Sequence, residues 1–111
     1  MDDATLARRY YRALDDGDFD AITTLLAPDF VHRRPDRTFE GRDAFVAFMR
    51  EGRPETDTTH EVTAVFDGAD GVAVRGRLLH ADGTEWFAFV DAFSVSGRRI
   101  EGVTTYTRRT E

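Results

Sequence analysis

Apolar residues recur at helical spacing in the first third of the chain. In residues 3–15 they fall on one side of a helix with arginines on the other, and Gly17 ends the run. Asp18 then offers an N-cap for a short second helix, which must end before Pro28. The pattern therefore predicts two amphipathic helices joined by a tight link.

A strand and a third helix follow. The β-rich stretch FVHRR (residues 30–34) predicts a strand, and residues 35–41 are typical of a loop. Residues 42–51 return to helical spacing, and Gly52 closes that run. The first half of the chain is therefore predicted to contain three helices.

The second half changes period, and its β-rich segments are separated by short links that contain glycine. These segments are residues 60–66, 71–80, 85–95 and 98–107. Such links join antiparallel hairpins, so this half predicts a meander. Helices followed by strands indicate one α+β domain over residues 1–111, with the helices packed on one face of a mostly antiparallel sheet.

One carboxylate interrupts the most hydrophobic of these strands. Strand alternation places Asp91 on the same face as Phe89 and Phe93. An acid among aromatic rings needs a partner, because burial disfavours its charged form and raises its pKa. We consider two partners: Arg34 would form an ion pair, whereas Tyr10 alone would favour a protonated acid.

The opposite face of this strand is also apolar, and Trp86 lies near its end. The other residues of this face are small or β-branched: Ala88, Val90, Ala92 and Ser94. A two-layer domain leaves such a face in water with alternating polarity, so we expect a homodimer that forms through the sheet. A central strand covered by a loop is the alternative.

Charge and composition narrow the classes of function. The chain has 21 acidic and 15 basic residues, a net charge of −6, no cysteine and no lysine. The acidic surface disfavours nucleic acid as a partner, and the lack of cysteine excludes disulfides and thiolate zinc sites. No apolar run approaches the roughly 20 residues of a membrane helix, so we expect a cytoplasmic protein. The lysine-free composition fits either high-salt adaptation or codon bias.

Histidine and glycine spacing indicates no bound cofactor. His32, His60 and His80 lie on separate segments without a metal-binding spacing, so no metal site is expected. The glycines fit hairpin turns and form no phosphate-binding loop. His32 remains a candidate base, because imidazole titrates near neutrality, and it shares the inward side of its strand with Arg34.

Three stretches resemble the SnoaL-like branch of the NTF2-like superfamily: RYYRALDDGDFDAITTLLAPDFVHRRP, FEGRDAFVAFM and FVDAFSVSGRRIEGVTTY. Together they cover nearly the whole chain. The resemblance implies a cone, in which a curved sheet wraps around helices and encloses a pocket, commonly in a dimer. It does not imply one activity, since the superfamily includes steroid isomerases, polyketide cyclases, epoxide hydrolases, dehydratases and non-enzymatic carriers or scaffolds.

The chain is similar to ketosteroid isomerases at two of three positions. Tyr10 matches the tyrosine that donates to the developing oxyanion, and Asp91 matches the neutral acid that donates a second hydrogen bond. The base is missing, because Arg34 precedes Pro35 where those enzymes have aspartate, and arginine accepts no proton near neutrality. We therefore do not expect steroid isomerisation by that mechanism.

The other enzymatic branches leave a short list of candidates. The epoxide hydrolase pattern needs an arginine, an aspartate two residues away and a further aspartate, where this chain has Arg75, Arg77 and Thr105. Cyclase-like members use a pocket acid or histidine, which here leaves Asp91 or His32 to move the proton.

We therefore expect a pocket that binds a small, largely apolar metabolite, with cofactor-free isomerase, cyclase or hydratase chemistry. The candidate proton-transfer and oxyanion residues are Asp91, His32 and Tyr10. The candidate ligand-binding residues are Arg34, Phe89, Phe93 and Trp86. The alternative is a non-catalytic dimerisation or ligand-carrying module in which Arg34 and Asp91 form a buried pair.

Overall fold

A computed structural model describes residues 2–109. Its helices are α1 (Asp3–Asp16), α2 (Phe19–Leu25) and α3 (Arg42–Glu51). The Asp2 side chain caps α1 by accepting a hydrogen bond from the Thr5 amide at 2.8 Å. Gly17, at φ 66°, ends this helix in the left-handed conformation that glycine adopts without steric cost. None of the helices in this range is long and apolar enough to cross a membrane.

One curved sheet contains every strand that the structure describes. The strands are β1 (Leu26–Arg33), β2 (Thr38–Glu40), β3 (Thr59–Asp67), β4 (Gly71–Leu79), β5 (Glu85–Ser96) and β6 (Arg99–Arg108). Their order is β2-β1-β6-β5-β4-β3, and all neighbours are antiparallel except β1 and β6. The predicted α+β architecture of three helices on a mostly antiparallel sheet is confirmed.

Two local predictions in the first half are wrong. The strand predicted at residue 30 begins at Leu26, and it includes Pro28 at an exposed position next to an irregularity in its pairing with β6. Proline is tolerated there because no ladder hydrogen bond is required of it. The predicted loop at residues 35–41 contains β2, whose residues pair with Val31, His32 and Arg33 of β1.

The core lies between the helices and the concave face of the sheet. Helix α1 buries Tyr10 and Tyr11 side by side, at 2% and 3% exposure, and Tyr11 packs against His60 and Phe89 of the sheet. Phe45 of α3 packs against Tyr10 and Phe30 from the other side. Aromatic rings therefore surround the part of the sheet that carries Asp91.

Candidate functional site

A cavity of about 400 Å³ lies between the helices and the concave face of the sheet. Exposed residues such as Asp36, Pro54 and Arg109 belong to its wall, so the cavity opens to solvent. It brings together most of the residues chosen from the sequence: Tyr10, His32, Arg34, Trp86, Phe89 and Asp91. Phe93 is the exception, since it packs against Tyr10 and Tyr11 in the core and does not line the cavity.

Asp91 is buried at 6% exposure and has two hydrogen-bond partners, neither of which the sequence analysis chose for it. The Tyr11 hydroxyl donates to Oδ2 at 2.7 Å, and the Thr105 hydroxyl donates to Oδ1 at 2.5 Å. Thr105 lies directly across from Asp91 in the pairing of β5 with β6. The inward orientation of Asp91 agrees with strand alternation, while the donor from α1 is Tyr11 and not Tyr10.

Burial and hydrogen bonding act on Asp91 in opposite directions. Burial raises the pKa of Asp91 above 3.8, and the hydrogen bonds from Thr105 and Tyr11 oppose that rise. Burial likewise raises the pKa of Tyr11, helped by the neighbouring Asp91 charge, so the phenol stays protonated and serves as a donor. The result is a carboxyl group whose protonated form is favoured more than in water, at the wall of a cavity.

His32 extends this hydrogen-bonded chain through Thr105. The His32 Nε2 atom lies 2.8 Å from the Thr105 hydroxyl oxygen. Because the single hydroxyl proton of Thr105 is directed at Asp91, Nε2 must carry the proton that joins His32 to Thr105. If Asp91 is instead protonated on Oδ1, it donates to Thr105 and Thr105 donates to His32 Nε2, so the imidazole proton lies on Nδ1 while Tyr11 still donates to Oδ2. The protonation of Asp91 is thus coupled to the tautomer of His32.

The His32 ring is sealed on its other side. Its Nδ1 atom is shielded from solvent and has no hydrogen-bond partner within residues 2–109. Burial lowers the pKa of His32 to about 3, and the nearby Arg34 charge acts in the same direction. The imidazole is therefore neutral at physiological pH, which limits the role predicted for it as a proton-transfer group.

Arg34 does not pair with Asp91. Its Nε atom lies 3.2 Å from Asp36 Oδ1, and its guanidinium lies 5.7 Å from the centre of the Phe48 ring. No salt bridge joins Arg34 to Asp91 within residues 2–109. The positive charge of Arg34 still acts on Asp91 over distance, because it opposes part of the rise that burial causes in the pKa of Asp91.

The Tyr10 hydroxyl has no hydrogen-bond partner within the described residues, although the ring lines the cavity. Burial raises the pKa of Tyr10 well above 10, and the Asp91 charge adds to the rise. The phenol therefore keeps its proton and can donate it in a hydrogen bond to a bound molecule.

Trp86 lies at the cavity wall, and its predicted place on the outer sheet face is wrong. The pairing of β4 with β5 shifts register between Leu78 and Leu79, which leaves Trp86 as an extra residue in its strand. This irregularity breaks the alternation, so Trp86 and Phe87 both line the cavity. The indole stacks on the His80 ring at 4.9 Å between centroids.

Solved structures from bacteria share this fold. A proposed ketosteroid isomerase from Kribbella flavida is 25% identical, with a TM-score of 0.80 over 96% of this chain and 78% of that chain. A SnoaL-like protein of unknown function from Burkholderia thailandensis is 23% identical, with a TM-score of 0.80 over 96% and 95% of the two chains. A proposed polyketide cyclase from Sinorhizobium meliloti is 19% identical, with a TM-score of 0.77 over 92% and 94%.

Sequence comparison agrees with the structural comparison. No protein of curated function matches the chain. The sequence profile of the SnoaL-like domain matches residues 7–103, which include all the helices and strands described above except the first turn of α1 and the second half of β6. The chain therefore belongs to the SnoaL-like domain family.

Proposed function

We propose that this protein binds a small, largely apolar molecule in the cavity and transfers a proton to or from it through Asp91, without a cofactor. The observation that carries the proposal is a carboxyl group that is buried, unpaired by arginine and positioned at the wall of an open cavity. A raised pKa at such a site is typical of a group that exchanges protons near neutral pH.

The shape and lining of the cavity support a small apolar ligand. Its volume lies within the range of about 300–1,000 Å³ that ligand pockets occupy. Apolar atoms make up the larger part of the wall, and seven aromatic or aliphatic side chains contribute to it: Phe45, Phe48, Met49, Leu78, Trp86, Phe87 and Phe89. Against this surface the Tyr10 hydroxyl would donate to a ligand oxygen, and Arg34 would stabilise negative charge that develops on it.

A non-catalytic carrier or dimerisation module is the alternative function. Its distinguishing feature was a structural pair of Arg34 with Asp91, and Arg34 instead pairs with Asp36. The similarity to a proposed ketosteroid isomerase and a proposed polyketide cyclase also favours acid–base chemistry on a carbonyl compound.

A ligand screen with Asp91→Asn tests this function. We expect small cyclic carbonyl compounds to raise the Tm of the wild type, because a ligand at 100 times its Kd stabilises the folded state by about 2.7 kcal/mol. The shift should be several degrees, and Asp91→Asn should lose most of it. Thermal denaturation with and without each compound measures both effects.

The matched control is Asp43→Asn, since the Asp43 side chain is 92% exposed on α3 and outside the cavity wall. It should respond to ligands as the wild type does. Ligands that stabilise the wild type and Asp91→Asn equally would favour the carrier function, and a panel without any stabilising compound would count against both.

We further propose that the protein forms a homodimer through the outer face of the sheet. Three large apolar side chains in the described residues are exposed, and all lie on this face: Phe66 at 51%, Val90 at 36% and Tyr106 at 61%. Val90 faces Tyr106 across β5 and β6, with the small Ala88 and Ala92 on either side along the strand. A flat centre bordered by larger side chains suits a dimer in which the same sheet face of two copies meets across a two-fold axis.

The substitution Val90→Arg should convert the dimer to a monomer, because it places a charge at the centre of the contact. Analytical ultracentrifugation should show the molecular mass falling by half. Ala47→Arg is the control, since it makes the same kind of change at an exposed position of α3 and should leave the mass unchanged. A wild-type protein that is monomeric at high micromolar concentration would contradict the proposal.

A further inference from the structure

A carboxylate–imidazole pair, Asp15 with His60, lies beside the cavity on elements other than those that hold His32 and Asp91. Asp15 is in the last turn of α1 and His60 is near the start of β3. One Asp15 oxygen accepts from the His60 backbone amide at 3.0 Å, and the other lies 2.6 Å from His60 Nδ1. Both side chains are largely buried, at 15% exposure for His60 and 19% for Asp15.

These contacts define which nitrogen of His60 is available. The Asp15 carboxylate can only accept, so the proton on the neutral imidazole lies on Nδ1 and the lone pair lies on Nε2. Nε2 has no hydrogen-bond partner within residues 2–109, and His60 belongs to the cavity wall. The ring is held in place by Tyr11, 4.9 Å away between centroids, and by Phe89 at 5.8 Å.

Tyr11 connects this pair to the Asp91 site. Its hydroxyl donates to Asp91, and its ring packs on His60, so both groups border the same side chain. The positive charge that His60 would gain on protonation favours ionised Asp91. One cavity wall therefore carries a carboxyl group that can hold a proton and an oriented imidazole that can accept one.

We propose that His60 is a second proton-transfer group of this cavity, positioned by Asp15, and that the ligand is a carbonyl compound with an acidic C–H bond. His60 Nε2 removes that proton, the C–H electrons form the enol double bond, and the carbonyl oxygen takes the proton held by Asp91. Where the ligand has a neighbouring C=C bond, His60 returns its proton to the far carbon of that bond and the double bonds shift by one position. The enol O–H proton goes back to Asp91 as the carbonyl re-forms, which completes an isomerisation and restores both groups. The inference deepens the proposed function and rests on it, while assigning the base to a residue other than Asp91.

The test uses 5-nitrobenzisoxazole, an apolar probe that reports a base in a cavity. The base takes its C–H proton, those electrons form a nitrile, and the N–O bond breaks to release a coloured phenolate. We expect the wild type to accelerate this reaction above free imidazole at equal concentration. His60→Asn, which keeps a donor for Asp15 and lacks Nε2, should be at least about tenfold slower, within the range of a general base. Asp43→Asn, at the exposed position of α3 outside the cavity wall, is the control and should react like the wild type.

Asp15→Asn separates positioning from structure. This variant should slow the probe reaction. It should also change the ¹⁵N NMR signature of His60 from the Nδ1–H form to a mixture of tautomers, a change that would not be expected if Asp15 only stabilised the fold. His60 in a mixed tautomer in the wild type would overturn the positioning role. Loss of the probe reaction in Asp91→Asn with full activity in His60→Asn would overturn the inference and leave the proposed function standing. No acceleration by the wild type would overturn the inference as well.

Discussion

Replacement of Thr105 by valine should destabilise the protein by roughly 1–3 kcal/mol for each of two buried groups. Valine keeps the shape of threonine and removes its hydroxyl. That change leaves Asp91 Oδ1 without its donor at 2.5 Å and His32 Nε2 without its partner at 2.8 Å. Because His32 Nδ1 already lacks a partner, the whole imidazole would be buried without a hydrogen bond within residues 2–109. Urea denaturation gives the free energy of unfolding.

The cost of Thr105→Val should depend on pH. The Thr105 hydrogen bond lowers the pKa of Asp91, so its loss raises the folded-state pKa further above 3.8. A group with a raised folded pKa contributes stability below its unfolded pKa and loses it as pH rises through the folded pKa. The variant should therefore be closer to the wild type near pH 4 than at higher pH, because the ionised form of Asp91 then has one donor fewer.

Thr104→Val is the matched control, since Thr104 is the adjacent threonine and lies opposite Ala92 on the other face of the sheet. Its free energy of unfolding should change by less than about 0.5 kcal/mol and in parallel with the wild type across pH. If both variants lost the same free energy of unfolding at every pH, the hydrogen bond from Thr105 to Asp91 would contribute no more to stability than the hydroxyl of Thr104 does.

Phe45→Ala should cost about 3–5 kcal/mol, the range for truncating a fully buried phenylalanine. Phe45 is 1% exposed, and its ring contacts Tyr10, Phe30 and His32 at centroid distances of 6.3, 5.2 and 5.2 Å. A loss of this size is a large part of the stability of a domain of this length. Thermal and urea denaturation should both show it.

The conservative variant Phe45→Leu shows whether the loss comes from packing. Leucine fills most of the same volume, so this variant should lose less than about 1.5 kcal/mol. The larger space in Phe45→Ala adjoins the cavity, since Phe45 lines it, and bulkier ligands should then bind. Similar losses in both variants would point to an aromatic interaction and not to packing volume.

The fold could be predicted from the sequence because a glycine or proline follows each helix, and a glycine lies in each of the three hairpin links between β3 and β6. Gly17 ends α1 as predicted, and strand alternation correctly turns Asp91 inward. The three-residue strand β2 was missed, since so short a segment forms through pairing with β1 and has little periodicity of its own.

The partners of Asp91 could not be predicted because they depend on packing and register. Ser96 pairs with Arg99 at the β5–β6 turn. If the two strands continued from there without a shift in register, Thr104 would lie opposite Asp91. A shift between Ser94 and Val95 places Thr105 there instead. The sequence did contain one indication that Tyr11 is buried. Tyr11 follows Ala7 by four residues, so the two lie on the same side of α1 and make its apolar face wider than Tyr10 alone suggests.

The parallel pairing of β1 with β6 has a consequence for how the protein folds. His32 and Thr105 are 73 positions apart, so their contact closes most of the chain into a loop and belongs to the slow, non-local part of folding. A nascent chain that has not yet released β6 from the ribosome contains the imidazole but no threonine partner and no complete wall. The hydrogen bonds that join Asp91 and His32 through Thr105 therefore form only after β6 has left the ribosome, and a partly synthesised chain lacks them.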